Sequence, residues 1–119
     1  MYRTHTCGEL RQKHIGKHVK LSGWVQRLRH LGGMTFIDLR DRYGHTQLAF
    51  KESWDPELLK KARELGREYV IQVEGEVLQR ESPNPDQATG AIELKVGQLK
   101  TLSRSETPPF TIQEDTDGG

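Results

Sequence analysis

With 119 residues, 33% of them hydrophobic and 29% charged, the chain has room for one highly solvated domain, which rules out most multi-domain enzymes. No stretch approaches the roughly 20 apolar residues that span a bilayer, and the opening MYRTHTCGELRQK has no apolar leader core, so the chain reads as cytoplasmic with no membrane partner. The net charge of +1 hides a segregation: residues 1–34 carry seven Lys/Arg against Glu9 alone, a net of +6, and the remaining 85 carry −5. Such a basic segment suits an anionic partner, although a solvated basic face without one explains the charge equally well. The lone Cys7 excludes an internal disulfide and a cysteine-built zinc site, and it reads as a small buried apolar residue.

Five segments alternate with the period of two that marks half-buried strands. In the first, Val19, Leu21 and Val25 share the inner face, while Lys20, Ser22, Trp24 and Gln26 share the outer one. The second, MTFIDLRD, turns Ile37 and Leu39 inward and Met34, Phe36, Asp38 and Arg40 outward. The third puts Thr46, Leu48 and Phe50 inside and His45, Gln47 and Ala49 outside, with turn signals at Gly32-Gly33 and Tyr43-Gly44 joining all three into a meander. DPELLKKARELG follows as a short helix, with Asp55 as N-cap, Pro56 at its first position, an apolar stripe of Leu58, Ala62 and Leu65 with Leu59 alongside, and Gly66 as its stop. The fourth strand sends Tyr69, Ile71, Val73 and Val77 inward and Gln72, Glu74, Glu76 and Arg80 outward. A polar loop, ESPNPDQATG, leads to the fifth, with Ile92, Leu94 and Val96 inside and Glu93 and Lys95 outside. The remainder, SRSETPPFTIQEDTDGG, has no period and reads as a hinge, which makes 1–102 the domain and 103–119 the linker.

Three strands, a helix and two strands predict an all-β, five-stranded barrel of the OB type, its helix plugging one end between strands three and four. An SH3-like barrel usually lacks that helix, and a ferredoxin-like fold needs two. OB barrels bind oligonucleotides across strands two and three and the adjoining loops, so the outward residues there are the candidate site. Phe36 is an aromatic on that wet face, where a base can stack; packing under a hairpin is the plainer role. Gln47 stands on the same face, with an amide that both donates to and accepts from a base edge. Arg27 and Arg29 bring guanidinium forks suited to phosphates, provided a bulge turns them outward from the parity of Val25. Arg80 and Glu93 flank the polar loop, as base readers or as a cross-strand ion pair.

Enzyme readings find little support. Asp38, Arg40 and Asp41 are a charged group, but parity separates the two carboxylates, which predicts an internal salt bridge near the Tyr43-Gly44 turn. His5, His14, His18 and His30 have no metal-site spacing and read as surface histidines, and no phosphate loop or nucleophile elbow occurs. The chain reads as a binding module without catalytic residues, metal or cofactor. A free-standing OB protein that binds single strands without sequence preference is the alternative function.

The string THTCGELRQKHIGKHVKLSGWVQRLRHLGGMTFIDLRDRYGHTQ, from Thr4 to Gln47, resembles the opening of bacterial aspartyl-tRNA synthetases, and the resemblance continues through EYVIQVEGEV and ATGAIEL to TPPF. It implies an anticodon-binding OB domain for aspartate tRNA. There the residue matching Phe36 stacks an anticodon base. Those matching Arg27, Arg29, Gln47, Arg80 and Glu93 line the base-reading surface, and Asn84 falls in a loop that approaches it. Three departures stand out: Leu28 where the family usually has a third arginine, His30-Leu31 where it has an Asp-His pair, and Leu65-Gly66-Arg67 where it has LRN or LRS. The resemblance also implies that the whole enzyme is a homodimer using ATP and magnesium in a catalytic domain that follows TPPF, and that this portion binds tRNA without catalysing.

Overall fold

The computed structural model describes residues 4–80 and 89–103; Asn84 and the tail from 104 to 119 lie outside the described residues. The alternating segments form five strands, β1 (His18–Leu31), β2 (Met34–Asp41), β3 (Gly44–Lys51), β4 (Val70–Gln79) and β5 (Ile92–Ser103), with one helix, α1 (Pro56–Arg63), between β3 and β4. They close into a barrel in the order β1-β2-β3-β5-β4, antiparallel throughout except between β3 and β5. Closure gives the OB topology that the element order predicts. Leu31 faces Met34 across the first hairpin, leaving Gly32-Gly33 as its loop. Asp41 faces Gly44 across the second, so its loop is Arg42-Tyr43, one residue earlier than the sequence signal.

β1 serves two neighbours, pairing with β4 over its first half and with β2 over its second. At the changeover a Cβ on Gly23 would lie 2.2 Å from the Arg40 carbonyl oxygen, an approach that glycine alone permits. The register then slips between Val25 and Arg27, the bulge that outward arginines require. Gly75 plays the same part in β4, where an added Cβ would meet the Lys95 carbonyl oxygen at 2.0 Å beside a second slip in register.

The inward parity of all five strands supplies the core, with Ile37, Leu39, Leu48, Ile71 and Ile92 fully buried. α1 begins as its sequence dictates: the Asp55 carboxylate accepts from the Leu58 N–H at 3.1 Å, a cap that contributes about 1 kcal/mol. The helix buries Leu58, Leu59 and Ala62. Arg63 ties its last turn to the first hairpin, donating to Thr35 Oγ1 at 3.2 Å and to the Gly32 carbonyl.

The segment before β1 adds Cys7 and Leu10 to the core, and it changes three expectations. Asp41 is buried, but in place of a salt bridge its carboxylate accepts from the N–H groups of Cys7 (2.8 Å), Tyr43 (2.8 Å) and Gly44 (3.2 Å), which locks the second hairpin to the segment. Ser22, outward by parity, is buried, because Cys7 packs against its carbonyl and brings the segment over that stretch of β1. His14 is likewise buried, its Nδ1 accepting from the Arg11 N–H at 2.9 Å and its ring 5.2 Å from that of His5 in an edge-on arrangement. Burial holds His14 below the ordinary imidazole pKa, and the neighbouring His5, Lys13 and Lys17 push it the same way. Glu9 joins the two histidines, one ligand-type atom from each of the three residues lying within 4.8 Å of the others. A backbone N–H on Nδ1 leaves the neutral His14 ring protonated at Nε2, so it presents no free lone pair to a cation.

Candidate nucleic-acid interface

Register places the predicted residues on one face. Arg27 faces Asp38, which faces Gln47; Arg29 faces Phe36, which faces Ala49; and residues opposite one another share a face. The bulge in β1 therefore achieves what parity alone forbade, setting both arginines beside the outward residues of β2. β5 completes the surface: Leu48 pairs with Leu94 in parallel, so Gln47 and Glu93, one residue back on each strand, stand side by side.

These side chains form a connected chain of hydrogen bonds. Arg29 donates from Nη2 to Gln47 Oε1 at 2.7 Å, and Gln47 donates from Nε2 to Glu93 Oε1 at 2.9 Å. Gln47 is only 7% exposed and Glu93 only 5%, although both lie on the outer face. They are covered by one another and by their cationic neighbours, so Gln47 is not the free surface amide that period two predicts. Arg29 also approaches Asp38 at 4.0 Å and lies over the Phe36 ring, 5.5 Å from its centroid. Phe36 is half-buried and stands outside the core cluster.

Arg80 reaches the same group from the end of β4, where its N–H bonds the Ala91 carbonyl at 3.0 Å. Burial pushes its guanidinium pKa below the ordinary value and the Arg29 charge pushes the same way, while Glu93 and Asp38 pull it back. The charges thus alternate across the surface, each buried one with a counter-charge near it. Arg27 is exposed at the edge of a cleft of about 580 Å³ that it lines with Gln26, Leu28, Asp38, His45 and Arg67. Strand periodicity did not reveal this cleft, because its lining joins three strands to Arg67, which comes from the turn after α1. Of the seven residues singled out from sequence, Arg27, Arg29, Phe36, Gln47, Arg80 and Glu93 come together, and Asn84 lies outside the described residues.

Chemically the face offers a π-surface, a buried carboxylate that accepts, an amide of both characters and exposed guanidinium. Those are the groups that stack an unpaired base, read its edge and hold its phosphate. Comparison with known proteins agrees. Residues 19–102 match the tRNA anticodon family, described as an OB-fold nucleic acid binding domain. The chain is 60% identical over 119 residues to an aspartate–tRNA ligase of Bacteroides fragilis and 58% identical over 120 residues to that of Porphyromonas gingivalis. Both matches take in the whole chain, which spans about one fifth of the length of these curated relatives. Among solved structures, asparaginyl-tRNA synthetase from Pyrococcus horikoshii complexed with asparaginyl-adenylate superposes with a TM-score of 0.75 at 32% identity, covering 91% of this chain and 24% of that one. The chain therefore belongs to the tRNA anticodon family of OB-fold nucleic acid binding domains.

Proposed function

We propose that this chain is the anticodon-reading domain of an aspartate–tRNA ligase, and that the face built from β1, β2, β3 and β5 receives the splayed bases of the aspartate anticodon. The observation that carries it is the chain of bonds from Arg29 through Gln47 to Glu93, set beside the half-buried Phe36 ring on the outer face.

Stacking on Phe36 supplies affinity that any base can share. Selection comes from the polar chain. In the free domain Gln47 is bonded on both sides, so an incoming base edge must replace what it displaces. A base with the right donors and acceptors does so at little cost; one without them leaves buried polar groups unpaired, at about 1–3 kcal/mol each. Glu93, when ionised, can only accept, which suits the N–H edge of a guanine, the first base of the aspartate anticodon. Arg27 is placed to hold phosphate, and Arg80 balances the charge of Glu93 while the base is read. The free-standing single-strand binder is disfavoured, since sequence-tolerant binding calls for stacking platforms rather than a buried hydrogen-bonded carboxylate.

Aspartate activation with ATP and magnesium, and a homodimeric assembly, belong on this reading to the rest of the ligase and not to these residues. Cytoplasmic localisation follows from the same reading; among the described residues no helix is long and apolar enough to cross a membrane. Titration with an aspartate anticodon stem-loop, an unrelated stem-loop and poly-U decides the matter: tight binding of the first alone is expected, and equal binding of all three would overturn anticodon reading.

A further inference from the structure

The outer face carries a second cationic feature that the anticodon residues do not use. One row of side chains crosses the sheet from Arg29 through Phe36 and Ala49 to Lys95, each the register partner of the next. Lys51, the partner of Met34, stands on the same face at the end of β3. Trp54, in the turn into α1, sets its half-buried indole against both lysines: Lys51 Nζ lies 4.8 Å and Lys95 Nζ 5.1 Å from the ring centroid.

Cation–π attraction gathers the two ammonium groups on one indole. The indole restricts two otherwise mobile side chains, so an anion that meets both finds them already placed. Two cations set side by side on the outer face suit the negative charge of a nucleic-acid phosphate. Neighbouring strands are about 4.8 Å apart, which puts Lys95 about 10 Å from Phe36, two strands across. A phosphate next to a base stacked on Phe36 would be within reach of Lys95.

We propose that Lys51, Lys95 and Trp54 form a phosphate-binding ledge for the RNA backbone flanking the anticodon bases. The proposal rests on the reading of this face as the anticodon site. Its test compares the wild-type chain with Lys51→Gln/Lys95→Gln, and with Lys60→Gln/Lys61→Gln on the exposed side of α1 as a control for charge loss alone. Each protein is titrated with the aspartate anticodon stem-loop over a range of salt concentrations. The ledge variant should bind roughly tenfold more weakly at low salt, with the slope of log K against log salt shallower by about 1.4–1.8, as expected for two lost phosphate contacts. Its ranking of loops permuted in the anticodon should be unchanged, because phosphates carry no sequence information. An unaltered slope, a loss matched by the α1 control, or a changed ranking of bases would each overturn the ledge. Absence of any aspartate preference in the wild-type chain would overturn anticodon reading instead, and the slope comparison on the same RNAs would still decide the ledge.

Discussion

Truncating Gln47 to alanine removes the acceptor of the Arg29 bond and the donor to Glu93 in one step. Hydrogen bonds to charged partners contribute about 1.5–3 kcal/mol each, but the two ends of this chain are unequal. The Arg29 side chain is 36% exposed and recovers its loss from water. Glu93, 5% exposed, loses the amide donor to a buried carboxylate oxygen that water does not readily reach. The expected destabilisation is therefore close to that of one charged bond, about 2–3 kcal/mol, which lowers the melting temperature of a domain this size by about 10–20 °C. Thermal and urea unfolding followed by circular dichroism measure it. A double-mutant cycle with Glu93→Ala should show a coupling of about 1 kcal/mol or more, since each residue is the other's partner. A change below about 0.5 kcal/mol together with additive effects would refute the reasoning and make Gln47 a solvated surface amide.

Phe36→Ala should weaken binding of the anticodon stem-loop by about 1–3 kcal/mol, or roughly 5- to 150-fold, with a nearly unchanged melting temperature, because the ring lies outside the core; unfolding with unchanged binding per folded molecule would make it a core residue. Glu93→Gln retains an acceptor for Gln47 and removes the charge, so isotherms on permuted loops should show the greatest loss where the first base is guanine. Equal losses across all first bases would assign Glu93 a structural role. His14 titrates below its ordinary value of 6.5 when folded, so the unfolded chain binds the proton more readily. Stability is then complete above that value, declines as pH falls through it, and levels off only below the folded value. Urea midpoints at about pH 7.5 and pH 5 should fall further for the wild-type chain than for His14→Gln, and parallel declines would contradict the assignment.

Sequence determined which face each strand turns to the core, because a period of two is a local property of the pleat. It thereby put Phe36, Gln47 and Glu93 on the outer surface and required the bulge before Arg27. The cap and stripe of α1 were equally legible, since Asp55, Pro56, Leu58 and Ala62 act within two turns of one another. How well an outward residue is covered is a different matter, decided by parts of the chain that periodicity does not connect. Ser22 and His14 are buried because the segment carrying Cys7 and Leu10 packs across the barrel, and Asp41 trades a salt bridge for backbone N–H groups of Cys7 in that segment and of Tyr43 and Gly44 in its own hairpin. Gln47 meets Glu93, and Trp54 meets Lys95, only because β3 and β5 run parallel, a contact over some 40 residues that closing the barrel creates. Alternation along a strand states the direction of a side chain; its neighbours in that direction belong to the tertiary fold.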